Sequence, residues 1–206
     1  MADASPPPTL SAERELDRVG AFSDGVFAIA ITLLVLNIEV PHVPGADLGQ
    51  AIRDLSSSFV AYGIGFAVMG LFWFQHHRLF SRLSRSSGRL VLANTALLAS
   101  ISLMPFTTAV LGRYNEPLAV ALYAVDVGIA ILLGGVIAQV AVADGLLTPG
   151  APRPDFVRDT LPRAAVFAVS IPIAYGISES LAKWSWLLLL VVPRLTERPA
   201  GDRNRV

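Results

Sequence analysis

The sequence predicts an all-α integral membrane protein, and three observations support that prediction. Of the 206 residues, 53% are hydrophobic and only 16% are charged, whereas soluble domains carry about 25% charged residues. The mean hydropathy is +0.58. Stretches with almost no charge recur along the whole chain, and each ends at residues typical of turns. We therefore expect one domain of membrane-spanning helices.

Six hydrophobic segments are expected to become six transmembrane helices in each subunit. They cover about 19–38, 55–77, 90–112, 117–143, 164–178 and 181–195. The first five are about long enough to cross a hydrocarbon core of roughly 30 Å. The sixth is short, and its Lys183, Trp184 and Trp186 are typical of a membrane interface. The expected organisation is a flexible N-terminus at 1–13, a six-helix domain at 14–198 and a flexible C-terminus at 199–206.

The distribution of basic residues predicts the orientation. With the N-terminus inside, thirteen of the sixteen Lys and Arg residues fall on the cytoplasmic side, and only Arg53, Arg113 and Lys183 fall on the other. Basic residues that flank a helix resist translocation. We therefore expect a multi-pass protein of the cell membrane with both termini in the cytoplasm.

Composition also argues against several classes of protein. The formal net charge of zero provides no surplus of cations to bind phosphates, so no nucleic-acid partner is expected. The chain has no cysteine, which excludes a disulfide scaffold and a thiolate metal site. The common hydrolase, metalloprotease and phosphate-loop motifs are absent as well. The first residues do not read as a cleavable signal peptide. We expect no catalytic residues, no bound metal and no cofactor.

The first hydrophobic segment begins with a short charged and polar motif. Arg18, Phe22, Ser23 and Asp24 form the pattern R-x-x-x-F-S-D at its start. This segment resembles the first helix of the transmembrane protein 175 family, the endolysosomal-type potassium channels and their prokaryotic relatives. The number of predicted helices and the segment from Trp73 to His77 extend the resemblance over the whole chain.

The resemblance implies a tetramer whose central pore is lined by the first helix of each subunit and conducts potassium and other monovalent cations. Animal members carry two six-helix units, so a chain with one unit needs four copies. Like that family, this sequence lacks a TVGYG-like filter loop. The family's constriction of bulky apolar side chains corresponds here to Ile29, Leu33 and Leu36, with Thr32 beside it.

Helix geometry is consistent with that assignment. At about 100° per residue, Leu33 and Leu36 lie within about 40° of Ile29, and Thr32 borders the stripe at about 60°. Asp24 lies about 140° from Ile29. The predicted stripe and the carboxylate therefore face different neighbours.

A carboxylate in hydrocarbon is costly, so Asp24 is expected to be paired. One interpretation is a cation site in the pore; the favoured one is a buried hydrogen-bond hub that joins the first helix to its neighbours. Trp73, His76 and His77 near the end of the second segment are the candidate partners. The resemblance also implies a polar network there, and we assign Trp73 and His77 to it, whereas His76 is expected at the interface.

Two other functions remain open from the sequence. An intramembrane hydrolase could use Asp24 and Asp126 as a carboxylate pair, although Asp126 is more simply hydrogen-bonded in the bundle interior. A secondary transporter could use helices broken at Pro105 and Pro172. The small residues Ala130, Gly134 and Ala138 predict a close-packed seam on the fourth helix.

Overall fold

The computed structural model describes residues 10–186, and all of its regular structure is helical apart from one isolated bridge between two loops. The eight α-helices of this part are α1 (Leu10–Leu33), α2 (Leu48–Asp54), α3 (Ser56–Phe80), α4 (Gly88–Arg113), α5 (Pro117–Ala143), α6 (Phe156–Asp159), α7 (Leu161–Gly176) and α8 (Glu179–Ser185). A 3-10 turn at Leu34–Asn37 directly continues α1, and a second one at Gly45–Asp47 precedes α2.

Within residues 10–186, four helices are long and apolar enough to cross a membrane. They are α1 with its 3-10 turn, α3, α4 and α5, which correspond to the first four predicted segments. The fifth segment forms α7, which is apolar but has only 16 residues. The sixth begins within α8, and most of it lies outside the described residues. The all-helical class is therefore confirmed, while six spans per subunit remains a prediction.

Several helix boundaries differ from the predicted segments. The fourth segment matches α5 at both ends, where Pro117 occupies the first turn, the position that proline favours. Helix α1 instead begins nine residues before its segment, at Leu10. The charged residues there are good helix formers, so the helix continues beyond the apolar stretch that marks the span.

The prolines do not break the helices. Pro105 lies inside α4 and Pro172 inside α7, and both helices are continuous. At Pro105 the carbonyl oxygen accepts a 2.8 Å hydrogen bond from Asn37 Nδ2. This bond joins the 3-10 turn after α1 to α4.

The core lies between α4 and α5, against which α1, α3 and α7 pack. Its largest fully buried side chains include Met69, Ile101, Met104, Tyr123 and Phe167. Helices α4 and α5 together thus form the centre of the described bundle.

Two loops pair at the arginine-rich end of the bundle. The loop after α3 meets the loop after α5, where Ser84 N donates to Leu146 O and Thr148 N donates to Arg82 O, both at 2.8 Å. These bonds fix the end of α3 against the end of α5.

Asp144 strengthens the same junction. Its carboxylate accepts 2.8 Å bonds from Ser87 Oγ and from the guanidinium of Arg89. Ser87 also caps α4 by accepting a bond from Leu90 N. The start of α4 is thereby held to the end of α5.

Candidate functional site: the first helix and its polar contacts

Helix α1 and its 3-10 turn pack into the bundle through one face. Ser23, Phe27, Ala30 and Leu34 are buried there, and they follow one another at steps of three and four residues, the repeat of one helix face. This face contacts α3 and α4. It holds α1 within its own subunit.

The opposite face carries an exposed apolar stripe. Ile29 is 63% exposed and Leu36 is 72% exposed, whereas Leu34 between them is fully buried. Phe22 and Leu33 are exposed on the same side. The predicted constriction residues therefore share one surface, and nothing within residues 10–186 covers it.

The 3-10 turn changes the predicted geometry of this stripe. The angles predicted between Ile29, Leu33 and Leu36 assume an α-helix through Leu36, but α1 ends at Leu33. In a 3-10 turn, residues three apart are eclipsed and the rise is about 2.0 Å per residue. Leu36 therefore lies almost directly below Leu33, and the axial length from Ile29 to Leu36 is about 12 Å instead of the 10.5 Å of an α-helix.

Small residues flank the stripe. Ala21, Gly25, Ala28 and Thr32 are all exposed, and their spacing places them on one line about 40–100° from Ile29. Thr32 Oγ1 donates a 2.8 Å bond to Ile29 O, which leaves the lone pairs of the hydroxyl oxygen facing outward. We refer to these four residues as the small-residue flank.

Asp24 accepts a hydrogen bond from α3. The donor is Trp73 Nε1, at 2.9 Å from Asp24 Oδ1. His77 stacks on the Trp73 ring, with centroids 5.6 Å apart and planes inclined by 23°. The structure thus brings Asp24, Trp73 and His77 into one row.

The expectation that Asp24 is buried within the subunit is wrong. Its side chain is exposed, because its position on α1 falls at the edge of the packed face, roughly 90° from the centre of that face. Trp73 is also partly exposed, at 41%. The bond between them lies at the surface of a single subunit.

A second polar chain, largely buried, was not predicted from the sequence. His76 Nε2 and Asn94 Oδ1 are 2.8 Å apart, and Asn94 Nδ2 donates to Ser23 Oγ at 2.9 Å. Ser23 Oγ in turn donates to Val19 O at 2.8 Å. This chain joins α3, α4 and α1.

His76 was predicted at the interface, and that prediction is wrong. It is 6% exposed and lies between Phe80, stacked at 4.0 Å, and Phe27 at 5.5 Å. One signal in the sequence could have identified it: Phe80 follows His76 by four residues, so the two rings share one face of α3.

Asp126 lies in the interior of the bundle, 5% exposed. Its carboxylate accepts bonds from Ser100 Oγ at 2.9 Å and from Thr107 Oγ1 at 2.8 Å. The interpretation of Asp126 as a hydrogen-bonded interior residue is confirmed. Asp24 and Asp126 have separate sets of donors and do not act as a carboxylate pair.

A bundle with four helices long and apolar enough to cross a membrane defines a multi-pass membrane protein. A family model described as "Endosomal/lysosomal potassium channel TMEM175" matches residues 18–105, which include the R-x-x-x-F-S-D motif. A potassium channel of Chamaesiphon minutus is 38% identical over 149 residues, which cover 68% of this chain and 73% of the relative. The chain belongs to the TMEM175 family, a family of ion channels and not of enzymes.

Other similarities agree with that assignment. A potassium channel of Streptomyces collinus is 44% identical over 101 residues, and the chain spans about half of its length, 49%. The human protein named "Endosomal/lysosomal proton channel TMEM175" is 39% identical over 98 residues, 43% of this chain and 19% of that protein.

The fold also matches a solved structure. It is the crystal structure of "a lysosomal potassium-selective channel TMEM175 homolog" from Chamaesiphon minutus. The match has a TM-score of 0.75 at 28% sequence identity, and it covers 90% of this chain and 100% of that one.

Proposed function

We propose that this chain forms a potassium-permeable cation channel in which the exposed stripe of α1 lines the pore. The observation that supports the proposal best is the pair of opposed faces on α1. Ser23, Phe27 and Leu34 hold the helix in its subunit, while Ile29 and Leu36 project away from it. Two bacterial relatives named potassium channels support the choice of ion.

The pore needs several copies of the chain. One helix face cannot enclose an aqueous path, so identical stripes must surround a common axis, as cyclic symmetry provides. Four copies are proposed because this chain carries a single R-x-x-x-F-S-D unit. The small-residue flank favours this arrangement, since small side chains allow neighbouring helices to approach closely. Mass measurement in mild detergent should return four subunits; only one or two would contradict the pore geometry.

Ile29, Leu33 and Leu36 would form three apolar rings along about 12 Å of the pore. Hydrophobic constrictions close channels by losing their water column. A cation inside such rings loses hydration without gaining ligands, so conduction requires the rings to widen. Thr32 lies beside these rings. Because its hydroxyl hydrogen is donated to Ile29 O, its oxygen can act as an acceptor toward a cation.

The proposed location is the cell membrane, with both termini in the cytoplasm. The loop between α3 and α4 carries Arg82 and Arg85, and the first turn of α4 carries Arg89, which the Asp144 contact joins to the end of α5. Lys and Arg accumulate in cytoplasmic loops. This end of the bundle is therefore assigned to the cytoplasmic side.

Flux measurements on purified protein in liposomes test the function. Vesicles with a potassium gradient should lose potassium much faster with protein than without it, and a large organic cation should not replace potassium as the permeant ion. Valinomycin-treated vesicles provide the positive control. A response to valinomycin with no response to protein, at every tested pH and voltage, would contradict the proposal.

A further inference from the structure

A polar cavity lies at the arginine-rich end of the bundle. It has a volume of about 310 Å³ and lies between the end of α3, the later turns of α5 and the segment that contains α6 and the start of α7. Arg78, Arg82 and Arg163 line it together with Asp155 and Asp159. Neither α1 nor its exposed stripe contributes to the lining.

The lining has a surplus of positive charge. Arg82 is half-buried, and its guanidinium has no hydrogen-bond or ion-pair partner within residues 10–186. Arg78 lies over the Phe74 ring at 5.6 Å, and Arg163 donates to Gln75 Oε1 at 2.8 Å. Three guanidinium groups against two carboxylates leave a net charge of +1 on the lining.

The two carboxylates already accept local bonds. Asp155 Oδ1 accepts from the backbone N–H groups of Val157 and Arg158 at 3.0 and 3.2 Å, and Asp159 Oδ2 accepts from Asp155 N at 2.9 Å. These bonds begin α6, which forms one wall of the cavity. Both acids thus stabilise the wall of the cavity, while the guanidinium groups supply its charge.

An apolar groove continues from the cavity toward the middle of α3. Phe72, Gln75, Ile131 and Arg163 line both. The groove adds apolar side chains from α3, α5 and α7: Val68, Leu71, Val127 and Phe167. On both α3 and α5, the groove is lined by earlier residues than the cavity is. The groove therefore lies farther from the arginine-rich end of the bundle. The combined site has a cationic end and an apolar extension that runs along the membrane-spanning helices.

We propose that this site binds an anionic phospholipid of the adjacent leaflet. The phosphate lies against Arg78, Arg82 and Arg163, because guanidinium groups match phosphate oxygens in charge and geometry. The groove has a volume of only about 20 Å³, so an acyl chain lies along its mouth between α3 and α7 and not inside it. Basic pockets between membrane helices bind lipid headgroups in this way. A soluble phosphate would use the arginines but not the groove.

Gly134 provides the space that the site needs. A Cβ added at Gly134 would meet no atom within 4 Å, and Gly134 lines the cavity. Its neighbour Gly135 is different, because a Cβ there would lie 2.6 Å from both Phe156 and Thr160. The predicted close-packed seam is therefore wrong at Gly134, where α5 leaves open space.

Binding of fluorescent phosphatidylglycerol and phosphatidylcholine to the purified full-length chain in neutral detergent tests the proposal. Phosphatidylglycerol should bind more tightly. Arg78→Gln with Arg82→Gln should weaken it by about tenfold or more, the loss expected for charge-assisted hydrogen bonds. The control is Arg153→Gln with Arg158→Gln, which removes the same charge from the same end at two positions that do not line the cavity.

A second pair of variants tests the volume without removing charge. Gly134→Leu should fill the cavity and reduce phosphatidylglycerol binding by a similar factor. Gly128→Leu adds the same side chain to α5 at another open position that is not part of the lining, so it should bind like the wild type.

Three outcomes would overturn the proposal: equal affinity for the two lipids, equal loss in the control variants, or displacement of the lipid by inorganic phosphate alone at comparable affinity. The last result would identify a site for free anions. Because the assay measures binding and not flux, its failure is distinct from failure of the channel proposal.

Discussion

The indole nitrogen of Trp73 donates a 2.9 Å hydrogen bond to Asp24 Oδ1 and so joins α3 to α1. His77 stacks on the same indole. The bond fixes the rotation of α1 at the level of the R-x-x-x-F-S-D motif. It therefore influences which residues α1 presents on its exposed side.

Loss of this bond should reduce assembly more than it changes ion selectivity. Trp73→Phe and Asp24→Ala should each destabilise the protein by about 1–3 kcal/mol, the usual cost of removing one partner of a charged hydrogen bond. Asp24→Asn keeps an acceptor oxygen and should cost less. Thermal unfolding and the yield of assembled protein in detergent measure the effect, with Trp184→Phe as a control at an exposed indole. Normal yield with altered selectivity in Asp24→Asn would instead assign Asp24 to the pore.

The buried chain through Asn94 should show strong coupling. Asn94→Ala leaves His76 Nε2 without its partner, at a cost of about 1–3 kcal/mol, whereas Ser23 Oγ keeps its bond to Val19 O. In a double-mutant cycle with His76→Phe, the combined loss should be smaller than the sum by about 0.5–3 kcal/mol. Thr95→Ala is the control, because Thr95 is exposed and its hydroxyl donates to Val91 O on its own helix. Strictly additive losses of stability would contradict the hydrogen-bonded chain through Asn94.

The proposed rings predict the effect of polar substitution on conduction. Ile29→Asn or Leu33→Asn should hydrate the closed constriction, raise resting potassium flux and reduce selectivity. Val35→Asn is the matched control, because adjacent residues in a 3-10 turn differ by about 120°, which turns Val35 away from Leu36. Vesicle flux measures the change. Unchanged flux and ion preference in both assembled variants would show that this stripe does not line the pore.

Substitution of Asp126 should lower the stability of the protein without changing conduction. In Asp126→Ala, Thr107 Oγ1 keeps a bond to Met104 O at 3.2 Å and Ser100 Oγ keeps the carbonyl of residue 126 at 3.2 Å. The loss of stability should therefore be near the low end of the usual range, about 1 kcal/mol. Potassium flux per assembled channel should not change. A large fall in flux at normal yield would give Asp126 a role in conduction.

Adjacent glycines on α5 should respond in opposite ways. Gly135→Ala forces a Cβ against Phe156 and Thr160 at 2.6 Å and should destabilise the protein by about 1–3 kcal/mol, as overpacking does. Gly134→Ala meets open space and should be neutral or slightly stabilising because it favours the helix. Thermal unfolding of the two variants decides the matter. Equal destabilisation would contradict the described packing of α6 on α5.

Features that depend on local composition could be predicted from the sequence. Low charge located α3, α4 and α5 to within a few residues, and the family resemblance, with which the spacing on α1 agrees, identified the residues of its exposed stripe. Features that depend on which helices contact each other could not be predicted from the sequence. Asn94 reaches both His76 and Ser23 only because α4 lies beside α3 and α1, and no local pattern encodes that contact. The 3-10 turn was also missed, because Leu34–Asn37 is as apolar as the helix before it.

Helix α1 presents three kinds of surface around its circumference: a packed face, a bulky apolar stripe and the small-residue flank. A conservative change of one side chain alters a single surface. Inserting or deleting one residue before Arg18 leaves all three surfaces intact but turns them by about 100° relative to the residues that precede the change. The same change between Asp24 and Ile29 breaks each surface in two, because the residues after it turn by about 100° relative to those before it. Length variation among relatives should therefore be tolerated in the residues before the motif and in the loop that follows Asn37, and eliminated between the motif and the turn.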